Sequence, residues 1–241
     1  MKFKLVESLQ EVDSEGNPLS PEQIEFFKNS KVRDKQGRLL ACYHSTDSDF
    51  NIFDTHRMGE HGKLFGNGFY FSTNTDHRYS HGDKYKVVYL NVKKPFIYNQ
   101  DIYNEGLARV LVKNYCGAFD KKLYDSIYSF NPLGIETVVL RYIKIKSGEE
   151  TTFTNVLKAS DYDGIIVGVK NVKPSDSYME LVAFYANQIK SITNKAPTNS
   201  YNINEELTLG GIEMGSGWGA NIDKSGYSGD FEKDQLFSWE Y

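Results

Sequence analysis

Residues 64–73 read LFGNGFYFST. Two glycines bracket one asparagine, and an aromatic run follows at once. Such a run reads as a short strand, Phe69–Ser72, entered through a glycine hinge. Twenty residues earlier stands ACYHST, at 41–46. There, Leu39 to Tyr43 form a continuous apolar run, the pattern of a strand buried on both faces, and His44 stands at its end. A third element lies far downstream, in YMELVAF at 178–184, where Glu180 opens an apolar strand. Polar groups at the ends of buried strands are how a sheet presents chemistry to a cleft. Singly, His44, Tyr70 and Glu180 each have an ordinary structural explanation, and a lone Gly-x-Gly is weak. Their order along the chain carries more weight than any one of them.

The surrounding chain predicts an α+β fold. Ser20-Pro21-Glu22-Gln23 is a helix start, with serine as cap, proline at the first helical position and glutamine reaching back, so a helix is expected to about Asn29. Residues 32–44 read as strand, turn, strand, with Gly37 in the turn. Residues 47–63 read as a loop anchored by Phe50 and Phe53. Asp76–Tyr85 is expected to be a helix, and Lys86–Val92 a strand ended by Lys94-Pro95. Helical spacing runs through 101–159: Leu107, Val110, Leu111 and Tyr115, then Val138–Ile145, which is β-branched enough to suit a strand as well, then a segment near Val156. Asp163-Gly164 opens a strand. Glu180–Tyr185 and Ile189–Ile192 are expected as the last two, split by a turn at Ala186-Asn187. From Gly210 to Gly229 the chain is rich in Gly, Ser and Asn, as an extension or linker is.

Composition bounds the function. The chain has 241 residues, 39% hydrophobic and 25% charged, enough for one sizeable core. Aromatics reach 14%, led by 17 tyrosines, which suits half-buried sheets and ligand clefts. A net charge of −4 argues against a general nucleic-acid backbone binder. The two cysteines, Cys42 and Cys116, make no disulfide framework. The five histidines lack a zinc spacing, so no metal site is expected. No stretch reads as a signal peptide or a membrane span. The expected location is therefore intracellular, or one reached by some other delivery machinery.

Taken in order, YHST (43–46), GNGFYFS (66–72) and YMELVAFYANQI (178–189) resemble the His-Tyr-Glu class of ADP-ribosyltransferases, that of diphtheria toxin and the poly(ADP-ribose) polymerases. The likeness is nearest to ADP-ribosyltransferase segments in polyvalent proteins of phages and mobile elements. It is carried further by SPEQIEFF at 20–27, VRDKQGRL at 32–39, YDGII at 162–166 and QIKS at 188–191. It extends over about residues 18–194, which gives an expected organisation of an N-terminal extension 1–17, a catalytic domain 18–194 and a C-terminal extension 195–241. The resemblance implies a split mixed β-sheet core flanked by helices, with NAD as substrate. It implies that His44 bonds ribose hydroxyls, that the Ser45 backbone holds the nicotinamide amide, and that Tyr70 stacks on the nicotinamide ring. Tyr79 would cover the ring's second face. Gly66 and Gly68 would let the backbone approach the ligand. Glu180 would stabilise the oxocarbenium-like ribose as the glycosidic bond breaks.

Two departures qualify the resemblance. Ser45 stands where glycine is commonest. Tyr178 stands where arginine-modifying relatives of the Arg-Ser-Glu class carry Glu or Gln. The loop 168–179, with Lys170 and Lys173, would face an acceptor, protein or nucleic acid. Competing readings are an NAD glycohydrolase, an RNA 2′-phosphotransferase-like enzyme, and a non-catalytic nucleotide-binding or structural module.

Overall fold

The computed structural model describes residues 11–58, 66–74, 82–98, 104–128, 134–169 and 178–205. The first helix, α1, spans Pro21–Phe27 and begins as its sequence dictates. The Ser20 hydroxyl accepts the Gln23 amide at 3.0 Å, and the Gln23 side chain accepts the Ser20 amide at 3.0 Å. Gln23 also donates to the carbonyls of Ile192 and Asn194, so the cap residue ties the helix to the far end of the chain. Gly37 takes φ +81° in the following turn, where Asp34 accepts the amides of Gln36 and Arg38.

The strands are β1 (Cys42–Thr46), β2 (Phe69–Ser72), β3 (Lys84–Leu90), β4 (Pro95–Tyr98), β5 (Gly164–Val169), β6 (Tyr178–Ala183) and β7 (Ile189–Ser191). They form one mixed sheet in the order β4-β5-β6-β2-β1-β3-β7. Only β4 and β5 pair in parallel. The helices α2 (Glu105–Cys116), α3 (Lys121–Tyr128), α4 (Ile135–Ser147) and α5 (Phe153–Ala159) fill the stretch between β4 and β5. Their buried residues share one core with Phe96, Ile165, Val167, Val182 and Phe184 of the sheet. This is the α+β arrangement expected. The ambiguous segment around Val138 is a helix, because Ile135, Val138, Val139, Tyr142 and Ile143 are its buried positions, a 3.6-residue stripe.

Several boundaries differ from expectation. Leu39–Ala41 precede the first strand: Leu39 accepts from Ser14, and Leu40 donates to Val32. Strand β1 therefore begins at Cys42 and runs past His44, which sits at its centre rather than its end. Lys84 and Tyr85 are strand residues paired with Thr46 and Ser45, so the expected helix cannot reach them; residues 75–81 lie outside the described residues. Pro95 opens a strand instead of only ending one, since the first residue of a strand can do without a ladder donor.

The motifs YDGII and QIKS have a structural reason. The buried Gln188 side chain donates to the carbonyl of Asp163 at 3.0 Å and accepts the Tyr185 amide at 2.9 Å, while its own carbonyl accepts from Asn91. The Asp163 carboxylate accepts the amides of Lys93 and Lys94 at 2.8 Å. Together they fasten the ends of β3, β5 and β6.

Two outcomes follow from these contacts. Ser20→Ala removes the cap and should lower unfolding free energy by about 1 kcal/mol, read as a lower urea midpoint. Asp13 is buried, and burial alone would raise its pKa. Hydrogen bonds from Asn17, Tyr89 and the Glu15 amide outweigh that and hold it below its usual 3.8. A depressed carboxylate stabilises the fold above its unfolded value, and that contribution is lost as pH falls through the lower native value. Acid titration of stability should thus show a steeper loss below pH 3.8 in the native chain than in Asp13→Asn.

Candidate active site

The two halves of the sheet meet at a thin seam. Among the described residues β1 pairs with β3 at five positions and β2 with β6 at four, but β1 meets β2 at one, Tyr43 opposite Ser72. Continued in register from that pair, Ser45 takes the position opposite Tyr70. The thin seam is the expected split.

Ser72 also faces Glu180 across the β2–β6 ladder. Opposed residues of an antiparallel pair share a face, with Cα atoms about 5 Å apart, and so do residues two apart on a strand. Tyr70, Ser72 and Glu180 therefore lie on one face of the sheet. Met179, beside Glu180, is pinned to Thr73 through its amide and its carbonyl. The Tyr70 hydroxyl donates to the Gly66 carbonyl at 2.6 Å, which closes the hinge and holds the ring.

His44 sits differently. Its imidazole lies on the opposite face, with ring centroids 4.9 Å from Phe53, 5.4 Å from Phe71 and 6.1 Å from Phe50. It joins the site across the seam, where Nδ1 lies 2.8 Å from the Tyr70 carbonyl. A carbonyl can only accept, so Nδ1 carries the proton in this bond.

The glycines of the opening stretch have a packing reason. A Cβ on Gly68 would stand 2.3 Å from Val182 Cγ1 and 3.1 Å from the Ala183 carbonyl. One on Gly66, which has φ +98°, would stand 2.5 Å from Thr154 Oγ1. The Cβ direction of each glycine is thus taken up by β6 and α5. Thr154 also donates to the Asn67 carbonyl at 2.7 Å, so the hinge is bolted to the start of α5.

The fold thus brings Tyr70 and Glu180 onto one face, sets Ser45 in register opposite Tyr70, and joins His44 to the Tyr70 carbonyl by a hydrogen bond. Tyr79, Lys170 and Lys173 lie outside the described residues. The sequence reading missed Ser72, the residue that links Glu180 to β1. Its position two after Tyr70, on the same strand face, was the available signal. Among the described residues no group of three or more His, Cys, Asp or Glu side chains could hold a metal ion, and no helix is long and apolar enough to cross a membrane.

A split mixed sheet with histidine, tyrosine and glutamate on its three central strands is the arrangement of an ADP-ribosyltransferase fold. The family model described as ADP-ribosyltransferase in polyvalent proteins matches residues 34–199, and the chain belongs to that family. No match was found among curated proteins or among solved structures.

The hinge gives a direct test of the packing. Gly68→Ala should destabilise the protein by about 1–3 kcal/mol, because the methyl must displace Val182 or the β6 backbone. Thermal melting measures it. An unchanged melting temperature would show that the hinge has room.

Proposed function

We propose that the chain is an NAD-dependent mono-ADP-ribosyltransferase of a phage or mobile element, acting in the host cytoplasm on a protein or nucleic-acid acceptor. The observation that carries this reading is the seam: Glu180 and Tyr70 share one face beside it, and the His44 ring bonds the Tyr70 carbonyl across it. Family membership supports ADP-ribosyl transfer in general.

In this reading NAD lies along the seam. The His44 ring bonds a ribose hydroxyl, and the backbone of Ser45 holds the nicotinamide amide. The Tyr70 ring, fixed by its bond to Gly66, stacks on the flat, cationic nicotinamide. The bond between ribose C1′ and the nicotinamide nitrogen breaks, and the nitrogen keeps the electron pair. Nicotinamide leaves neutral, and positive charge spreads over the ribose. Glu180, accepting the 2′-hydroxyl, stabilises that charge most where it is largest, in the transition state. The acceptor's lone pair then forms the new bond to C1′, and its proton is released. Water in the acceptor's place would give NAD hydrolysis.

The test is nicotinamide release from NAD by the purified full chain, with intact mass read in parallel. Glu180→Gln should lower release by about two orders of magnitude or more while leaving the melt intact. A mass gain on the protein or an added acceptor distinguishes transfer from hydrolysis. No release with any acceptor would replace the enzyme with a nucleotide-binding or structural module.

A further inference from the structure

Residues 196–205 do not hang from the sheet; they are clasped to it. At the centre is Lys190 on the edge strand β7, fully buried. Its ammonium donates to the Ser200 carbonyl at 2.6 Å, the Asn202 carbonyl at 2.9 Å and a Glu205 carboxylate oxygen at 2.9 Å. All three of its protons are thereby used, which is what a buried ammonium requires. Glu205 in turn accepts from the amide and hydroxyl of Thr198 and from Asn194.

The clasped segment reaches back to the loop after β1. The Ile203 amide donates to the Asn51 carbonyl at 2.8 Å, and the Asn204 side chain donates to that of Asn51 at 2.9 Å. Ile52 and Asn202 form an antiparallel bridge. Ile203 is buried in the same core as Phe53. Phe53, in contact with the His44 ring, also packs against Phe69 and Phe71 of β2. A continuous path thus runs from the Lys190 ammonium, through Asn202–Asn204, to the Asn51–Phe53 loop that seats the imidazole.

We propose that residues 196–205 are a strap that positions His44, with Lys190 and Glu205 as its clasp, and that the strap thereby tunes affinity for NAD. The second half rests on the function proposed above. The clasp residues Asn202 and Glu205 lie beyond residue 199, where the family match ends, so the strap closes with residues outside the matched region. Lys190 and Glu205 are positioning residues: they act through Phe53 and His44. A misplaced imidazole would bind the ribose less well in ground and transition states alike, which raises KM and spares kcat.

The experiment uses the full chain with Glu205→Ala, and Asn204→Ala as a milder variant that removes only the side-chain bond to Asn51 and leaves the Ile203 amide bond in place. Three quantities are read: the melt, the ring-nitrogen NMR signals of His44, and KM and kcat for NAD. We expect a folded protein, altered His44 ring signals showing a disturbed Nδ1–H bond, and a KM raised about tenfold with kcat within about twofold. If Glu205→Ala does not fold, Asn204→Ala should show the same changes in smaller measure. Unmoved His44 signals in a folded variant would overturn the strap, whatever KM does. Altered signals with an unchanged KM would overturn its link to NAD. A native chain that releases no nicotinamide signals failure of the proposed function instead, and the His44 signals then still decide the strap.

Discussion

One hydrogen bond braces the thin join at the middle of the sheet. A mixed sheet of seven strands satisfies its central backbone groups by ladder pairing, and an unpaired buried carbonyl costs free energy. Here β1 and β2 share a single register pair, and the Tyr70 carbonyl takes a bond from the His44 ring. That bond ties the two strands beside their one pair. It also places the ring proton on Nδ1. A structural requirement and a chemical one are met by the same bond, and the geometry of the seam depends on it.

With so thin a join at the middle, the sheet is fastened elsewhere as well. Gln188, Asp163 and Asn91 fasten one end of the sheet, and Gln23 draws α1 onto the residues after β7. At the β7 edge Lys190 gathers the following segment. Gln188, Gln23 and Lys190 are buried polar side chains, and each takes backbone carbonyls outside the strand ladders and helices. Their energetic weight comes less from the bonds gained than from the unpaired groups that would remain without them. The hinge is secured in another way, by close contact: Gly66 and Gly68 let it lie against Thr154 and Val182.

Much of this was legible in the chain. The capping box of α1, the turn at Gly37, the short strand Phe69–Ser72, the strand after Asp163 and the helical spacing of Leu107, Leu111 and Tyr115 in α2 are local patterns, each decided by a few adjacent residues. The candidate trio His44, Tyr70 and Glu180 was proposed from three short motifs and their order along the chain. Less legible were the limits of strands. Leu39–Tyr43 looks like a strand, yet Leu39 and Leu40 bond to Ser14 and Val32. Tyr85 fits a helical pattern, yet it pairs with Ser45. Both are cases in which a distant partner outweighs local preference.

The sequence by itself determined which residue types were at hand, the α+β class, the family and the local conformations, since these depend on neighbours within a turn or a strand. Only the tertiary structure decided how those residues meet. Strand register set Ser72 beside Glu180 and put Tyr70 on their face, because a shift of one residue would have turned each to the other side. The approach of β1 to β2 decided that His44 would bond the Tyr70 carbonyl and lean on Phe53 and Phe71. Packing decided that the glycines face protein atoms. The physical reason is common to all three: they depend on contacts between segments far apart in the chain, and no local pattern encodes the partner.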